Sequence, residues 1–315
     1  MKIIVTGGNG YVAGHLKKKL EEQSHEVISY DLPSDIRDRD EFNKWIKYHR
    51  PDVVYHLATN PGIIWCDEHP TEAHDINVYG SWVVALVCAE NNVHLNFIST
   101  CCAYGNVDKF PITEETLPKP TESYACNKLA GEYIVKGYHI STGMSYNILR
   151  LATMYGPSIQ PTEKRPDMAI PIFFDMAMKG QKFTIHGDGL QTRTYTYIED
   201  IADALVLVNE KGIKNETITL TNTEEISVID IANKVKKLIP TTKWDFGPDR
   251  KGQIRKEVFD TTKARTLLGW EPKVNFDKGM YKYYEWLKSI TKQEIDNEHI
   301  HNSPILQRPI TSKNH

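Results

Sequence analysis

Residues 2–14 read KIIVTGGNGYVAG, an apolar run that ends in a glycine-rich turn. Lys2–Thr6 is short, apolar and closed by glycine, as a buried strand is. Residues 11–23 follow with apolar positions at helical spacing. Between the two, Gly7, Gly10 and Ala13 fit G-x-x-G-x-x-A. The first glycine permits a tight turn, and the second lets the backbone come close to a ligand. The small third residue allows close helix–strand packing. A helix that starts at Tyr11 and Val12 offers N–H groups and a partial positive charge, which suit a pyrophosphate.

The same rhythm continues. Glu26–Tyr30 (EVISY) is a second strand, residues 39–49 suit a helix, and Asp52–Leu57 (DVVYHL) is a third strand. A long helix fits 72–91. Leu95–Ser99, a helix over 122–141 and Ser145–Leu151 come next. Alternating strands and helices with short connections predict parallel strands and right-handed crossovers. Short, wholly apolar strands predict a sheet covered on both faces. The fold class is therefore α/β, a doubly wound parallel sheet with a smaller mixed α/β lobe after it. Asp31 ends the second strand, where a carboxylate can bind the adenine-ribose 2′-OH and would repel a 2′-phosphate. The expected cofactor is NAD rather than NADP.

Prolines 157, 161, 166 and 171 mark the region after the fifth strand as loop. Helical spacing returns at 168–180, 199–211 and 227–239, while 242–259 reads as irregular. The expected organisation is an NAD-binding domain over 1–165, to which about 187–225 returns. An interleaved substrate lobe over 166–288 and a polar tail over 289–315 complete it.

The chain has 315 residues, 40% apolar and 25% charged, with a formal net charge of −3. That composition suits a soluble globular protein and gives no basic patch for nucleic acid. No run reaches the roughly 20 apolar residues of a membrane span. The N-terminus enters the first strand without a leader. Five cysteines without paired spacing read as free thiols of a cytoplasmic protein. No His/Cys/Asp cluster has metal-ligand spacing. His56 and His186 read as structural.

Residues 123–128, SYACNK, place Tyr124 and Lys128 four apart, on one helix face. A free tyrosine has a pKa near 10 and is a poor base at neutral pH. A nearby ammonium and a cationic nicotinamide favour its phenolate. So tuned, Tyr124 could take a proton from a sugar hydroxyl as hydride leaves the same carbon, and Lys128 could hold the nicotinamide ribose.

Taken together, TGGNGYVAGH, Asp31, DIRD at 35–38, PDVVYHLAT at 51–59, NVYGS at 77–81, STCCAYG at 99–105, SYACNK, LRLATMYGP at 149–157, GDGLQTRTYTYIED at 187–200 and LGWEPKV at 268–274 resemble one family. It is the extended short-chain dehydrogenase/reductase family of Rossmann-fold nucleotide-sugar epimerases and dehydratases. The resemblance covers about residues 1–288. It implies a Ser/Thr–Tyr–Lys triad, here Thr100, Tyr124 and Lys128. It also implies that Asp35 and Ile36 meet the adenine, that Leu57 and Ala58 line the phosphates and ribose, and that Asn77 braces the strand ends. Arg193 would pair with the substrate diphosphate, with Arg255 as a second candidate. Thr153 stands where the family often has a phosphate-contacting Asn. A homodimer packed through the helices near 72–91 and 122–141 as a four-helix bundle is also implied.

The two positions after Thr100 discriminate among activities. The 4,6-dehydratases of the family carry Asp-Glu there, and this chain has Cys101 and Cys102. A thiol is a poor proton donor to a departing hydroxyl, so dehydration is disfavoured. The 4-epimerases carry small residues there, for which cysteine can stand in. The GDP-mannose 3,5-epimerases carry a catalytic cysteine at the position of Cys102 but follow the tyrosine with proline, where this chain has Gly105. Their acid partner would have to come from Lys164 or Arg165. Cys101 reads as packing, and Cys102 as either packing or a base. The leading expectation is an NAD-dependent nucleotide-sugar epimerase working through transient oxidation at C4. The alternatives are proton exchange at C3 or C5 through Cys102, net reduction of a 4-keto sugar, and a non-catalytic NAD-binding protein.

Overall fold

The computed structural model describes residues 1–159, 168–250 and 253–301, with side chains to 291. Lys164 and Arg165 lie outside the described residues. The first half runs β1 (Lys2–Thr6), α1 (Tyr11–Glu22), β2 (Glu26–Tyr30), α2 (Arg39–His49), β3 (Val53–His56), α3 (Ile63–Glu68), α4 (Pro70–His74), α5 (Gly80–Glu90), β4 (His94–Thr100), α6 (Ser123–Thr142) and β5 (Tyr146–Leu151). The second half runs β6 (Thr153–Tyr155), α7 (Ala169–Met178), β7 (Lys182–His186), β8 (Thr192–Tyr197), α8 (Ile198–Glu210), β9 (Glu216–Leu220), β10 (Glu225–Ser227), α9 (Val228–Leu238), β11 (Lys243–Gly247), α10 (Thr262–Leu268) and α11 (Phe276–His301).

Six strands form one sheet in the order β2-β1-β3-β4-β5-β9, and every pairing in it is parallel. Side chains alternate across each strand, so Ile3 and Val5 of β1 face one way and Ile4 the other. Ile3 and Val5 pack with Leu16 of α1 and Leu205 of α8. Ile4 packs with Phe42 of α2, Val84 of α5 and Phe97 of β4. Two apolar layers therefore cover the sheet, as an all-parallel sheet requires. The strand order reverses between β1 and β3, which opens a crevice at their C-terminal ends.

The remaining strands build two small sheets, β10-β8-β6 and β11-β7. A third apolar cluster joins them to α7, α9 and α11, with Phe173 stacked on Phe183 at 3.9 Å. The short strands β7 and β11 arise where the spacing gave no strand. The expected continuous helix over 72–91 is instead α4, a π turn over Asp75–Tyr79, and α5. Helix α11 continues into the first part of the expected polar tail, and 302–315 lie outside the described residues. Among the described residues no helix is long and apolar enough to cross a membrane.

Candidate active site

The glycine turn closes the crevice from below. Gly7 has φ +65°, and its N–H donates to the carbonyl of Tyr30 at 2.9 Å. A Cβ there would stand 2.8 Å from the backbone of Ala58, so only glycine lets the turn lie against the segment after β3. Gly10 is the N-cap of α1 and gives it no side-chain cap, which leaves the first-turn N–H groups to a ligand. Asp31 stands at the end of β2 and accepts from the N–H groups of Asn9 and Leu32, both at 2.7 Å. A carboxylate tied to the glycine turn at this position fits the ribose diol of NAD, so the residues present suit that cofactor. Val12 is half-buried against the first apolar layer. The Tyr11 hydroxyl donates to the carbonyl of Gly156 at 3.0 Å, so its side chain reaches towards β6.

The other expected cofactor residues line the same edge. Leu57 packs against the first apolar layer, and Ala58 donates its N–H to Thr6 Oγ1 at 3.2 Å. Asn77 is fully buried in the π turn. Its Oδ1 accepts from Thr59 Oγ1 at 2.7 Å and from the Asn60 N–H at 2.8 Å, and its Nδ2 donates to the Asn60 carbonyl at 3.0 Å. Asn77 thus ties down the loop after β3. His56 bridges Thr6 Oγ1 at 2.8 Å and Ser81 Oγ at 3.1 Å, a structural role. At the far end, Ile36 is buried in the second apolar layer, and Arg37 holds the Asp35 carboxyl below the usual carboxylate range.

Thr100 ends β4, and the chain turns at once into a short 3₁₀ segment, Cys101–Tyr104. Thr100 Oγ1 accepts from the Cys102 N–H at 3.2 Å. Helix α6 packs against this segment and carries Tyr124 in its first turn and Lys128 one turn on. Helix α6 lies close on β4 because residue 131 is glycine: a Cβ there would be 2.5 Å from the Phe97 ring. Lys128 is 2% exposed, with Nζ 4.7 Å from the Phe97 ring centroid. Burial brings its pKa down to about 8, and Glu132 one turn further opposes the fall.

Beneath this pair lies a buried ionic network that the sequence spacing did not indicate. Arg150 of β5 donates from Nε and Nη2 to the two Glu132 oxygens at 2.8 and 2.6 Å, and Ser99 Oγ donates to Oε1 at 2.5 Å. Its guanidinium also lies 4.6 Å from the Tyr104 ring centroid. Cys101 is buried, donates to the Arg150 carbonyl at 3.6 Å and packs with Tyr104 and Phe259. Cys102 is less enclosed by residue area, but burial still pushes its thiol up to about 12, with the charges of Glu122 and Glu257 adding to the rise.

Arg193 belongs to the same cluster. Its Nη1 donates to the carbonyls of Thr192 at 2.9 Å and Ile254 at 2.7 Å, and its Nε lies 3.6 Å from Glu257 Oε2. Arg255 is taken up instead by Asp188 at 3.2 Å and by Asp249, so it joins the turn after β7 to Asp249. Thr153 opens β6, half-buried, in register with Tyr195. Two site residues escaped the motif reading. Glu122 precedes Tyr124 by two positions, and that adjacency was the available signal. Glu257 is distant in sequence and carried none. Among the described residues no group of three or more His, Cys, Asp or Glu side chains could hold a metal ion.

Known proteins share this fold. Residues 3–220 match the NAD dependent epimerase/dehydratase family. The UDP-glucose 4-epimerase of Lactobacillus helveticus is 30% identical over 330 residues, covering 93% of this chain and 98% of that protein. The crystal structure of UDP-glucose 4-epimerase from Thermotoga maritima with UDP-glucose superposes with a TM-score of 0.87 at 29% identity, over 92% of this chain and 100% of the other. The UDP-glucuronic acid 4-epimerase of Bacillus cereus, in complex with UDP-glucuronic acid and NAD, gives 0.85 at 28% identity, over 92% and 100%.

Proposed function

Because the chain belongs to the NAD-dependent epimerase/dehydratase family, whose cofactor is NAD, we propose that it is a 4-epimerase of UDP-sugars. The observation that supports the reading is that α6, which carries Tyr124 and the buried Lys128 one turn apart, packs on β4 and the turn that follows Thr100. In this reading Tyr124 takes the proton from the sugar C4 hydroxyl. Thr100 Oγ1 already accepts from the Cys102 N–H, so its own proton is directed to the reacting oxygen. The Lys128 ammonium favours the phenolate of Tyr124. Bound NAD⁺ supplies the hydride acceptor and, on return, the donor. The 4-keto sugar turns over between the two transfers, so hydride would return to the opposite face of C4 while Tyr124 gives its proton back to the C4 oxygen.

Elimination needs an acid at the departing hydroxyl, and proton exchange beside a ketone needs a base. Cys102, with its thiol pushed up to about 12, is neither a carboxylic acid nor a thiolate at neutral pH, which favours simple inversion at C4. The UDP-sugars named for several relatives and neighbours support uridine as the base, and Arg193 would be the cation that meets the diphosphate. The sheets β10-β8-β6 and β11-β7 serve as the substrate lobe. The exposed Tyr79, Tyr133 and Ile140 of the α5–α6 side supply the apolar surface for a homodimer.

The test is to incubate the protein with UDP-glucose in D₂O and follow it by NMR. The C4 epimer is expected with no solvent deuterium in the ring. Deuterium at C3 or C5, lost in a Cys102→Ser variant, would overturn the reading in favour of cysteine chemistry.

A further inference from the structure

Glu122 has no part in the chemistry above. It is the N-cap of α6, yet its side chain makes no capping bond to that helix. Its Oε1 is buried and has no hydrogen-bond partner among the described residues. A buried carboxylate oxygen left unpaired is costly, and such atoms in folded proteins are as a rule matched by a ligand. Two residues before Tyr124, the carboxyl group is hydrogen-bonded to the Cys102 thiol, and its burial holds its pKa above the usual range.

A second carboxylate, Glu257, faces the same thiol and is 4% exposed. Asp67 also acts on Glu122. The counter-charge near them is Arg193, whose Nη1 is anchored to two backbone carbonyls. Burial raises the pKa of both Glu122 and Glu257, so the wall beside Tyr124 is rich in acceptors and gains its negative charge on the alkaline side of the usual carboxylate range.

We propose that Glu122 recognises the sugar: its Oε1 accepts a hydrogen bond from a ring hydroxyl, and its charge, with Glu257, excludes sugars that carry a carboxylate. The inference rests on the 4-epimerase reading and narrows its substrate class to neutral UDP-hexoses. A neutral hexose brings O–H donors to an unpaired acceptor. A uronate brings a like charge into a poorly solvated site. The fold alone does not decide, since neighbours with neutral and acidic sugars superpose equally well.

The test is calorimetric titration of the NAD-loaded protein at about pH 8 with UDP-glucose, UDP-glucuronate and UDP, repeated for Glu122→Gln and Glu122→Ala. The unaltered protein should bind UDP-glucose at least about 100-fold more tightly than UDP-glucuronate. Glu122→Gln keeps an acceptor and drops the charge, so it should cut that ratio to below about 10-fold, chiefly by tighter uronate binding. Glu122→Ala should weaken UDP-glucose about 10-fold and leave UDP unchanged. Should the alanine variant fail to fold, the near-isosteric glutamine carries the test. A ratio unmoved in Glu122→Gln, a preference for the uronate, or UDP-glucose no tighter than UDP would each overturn the proposal. The affinities compared do not require net inversion, so discrimination by Glu122 with no C4 inversion in the NMR assay would sink the 4-epimerase reading and leave sugar recognition by Glu122 standing.

Discussion

A tyrosine becomes a useful base only when its surroundings prefer the phenolate, and in the proposed reading the buried Lys128, one helical turn on, is the cation that does so. Tyr124→Phe should therefore lower kcat for UDP-glucose by about 10²–10⁴-fold, the usual worth of a positioned proton-transfer group. NAD affinity, measured by fluorescence titration, should stay within about threefold, because the ring remains and only the hydroxyl is lost. The glycine turn gives a contrasting case. Gly7→Ala places a Cβ 2.8 Å from Ala58 at a left-handed φ. It should cost about 1–3 kcal/mol in a denaturant titration and weaken NAD at least about tenfold, since the turn must move from the sheet edge. Both residues were legible in the sequence, because each belongs to a local pattern: a strand–glycine–helix joint, and two side chains one helical turn apart. The partners that tune the site were not. Glu257 reaches Cys102 only through the folding of the C-terminal lobe onto β4, and nothing local in GQIRKEV marks it.

At the scale of elements, the site depends on how closely α6 lies on β4 and β5. Gly131 permits the approach, and the buried Arg150–Glu132 pair, 3% and 2% exposed, fixes it. Removing one partner of such a pair leaves an uncompensated charge in the core. Glu132→Ala should lower stability by about 3–5 kcal/mol, read from the shift in denaturant midpoint. The Nη1 of Arg150 already lacks a partner among the described residues, so the guanidinium has little to fall back on. The same change removes the carboxylate that supports the Lys128 ammonium, so kcat should fall as well. A variant that loses stability yet keeps full kcat would show that the network holds the fold without tuning the site. The strands β1 to β5 could be read from their apolar runs because both faces of that sheet are covered. β6 and β10 have three residues each, and β8 (TRTYTY) alternates polar with aromatic residues in a separate sheet. Their partners are set by tertiary contacts that no local pattern records. The π turn at Asp75–Tyr79 escaped for the same reason: it places Asn77 against the loop after β3, a need that arises only once both are folded.

For the whole molecule, burial of neutral acids predicts how stability responds to alkali. Cys66, Cys88, Cys101 and Cys102 all have thiols raised by burial, and tyrosines 30, 55, 104, 146, 155, 195, 197 and 283 are raised in the same way. An unfolded thiol releases its proton near pH 8.5 and an unfolded tyrosine near 10, while the folded protein keeps both. Above those values the native state binds more protons than the unfolded chain, so stability falls as pH rises. Lys128 acts in the opposite sense. Its native pKa of about 8 lies below the unfolded value near 10.4, so it adds stability between the two. Each fully shifted group contributes about 2 kcal/mol between pH 8.5 and 10, and one lysine stands against several thiols and the onset of tyrosine ionisation. The acids win. The denaturant midpoint should therefore drop between about pH 8 and 10, and a Cys88→Ala variant should show a shallower drop, since Cys88 is wholly buried and remote from the site chemistry. A midpoint that holds or rises over that interval would mean that these thiols ionise in the native state, and the Cys102 thiol could then no longer be excluded as a base.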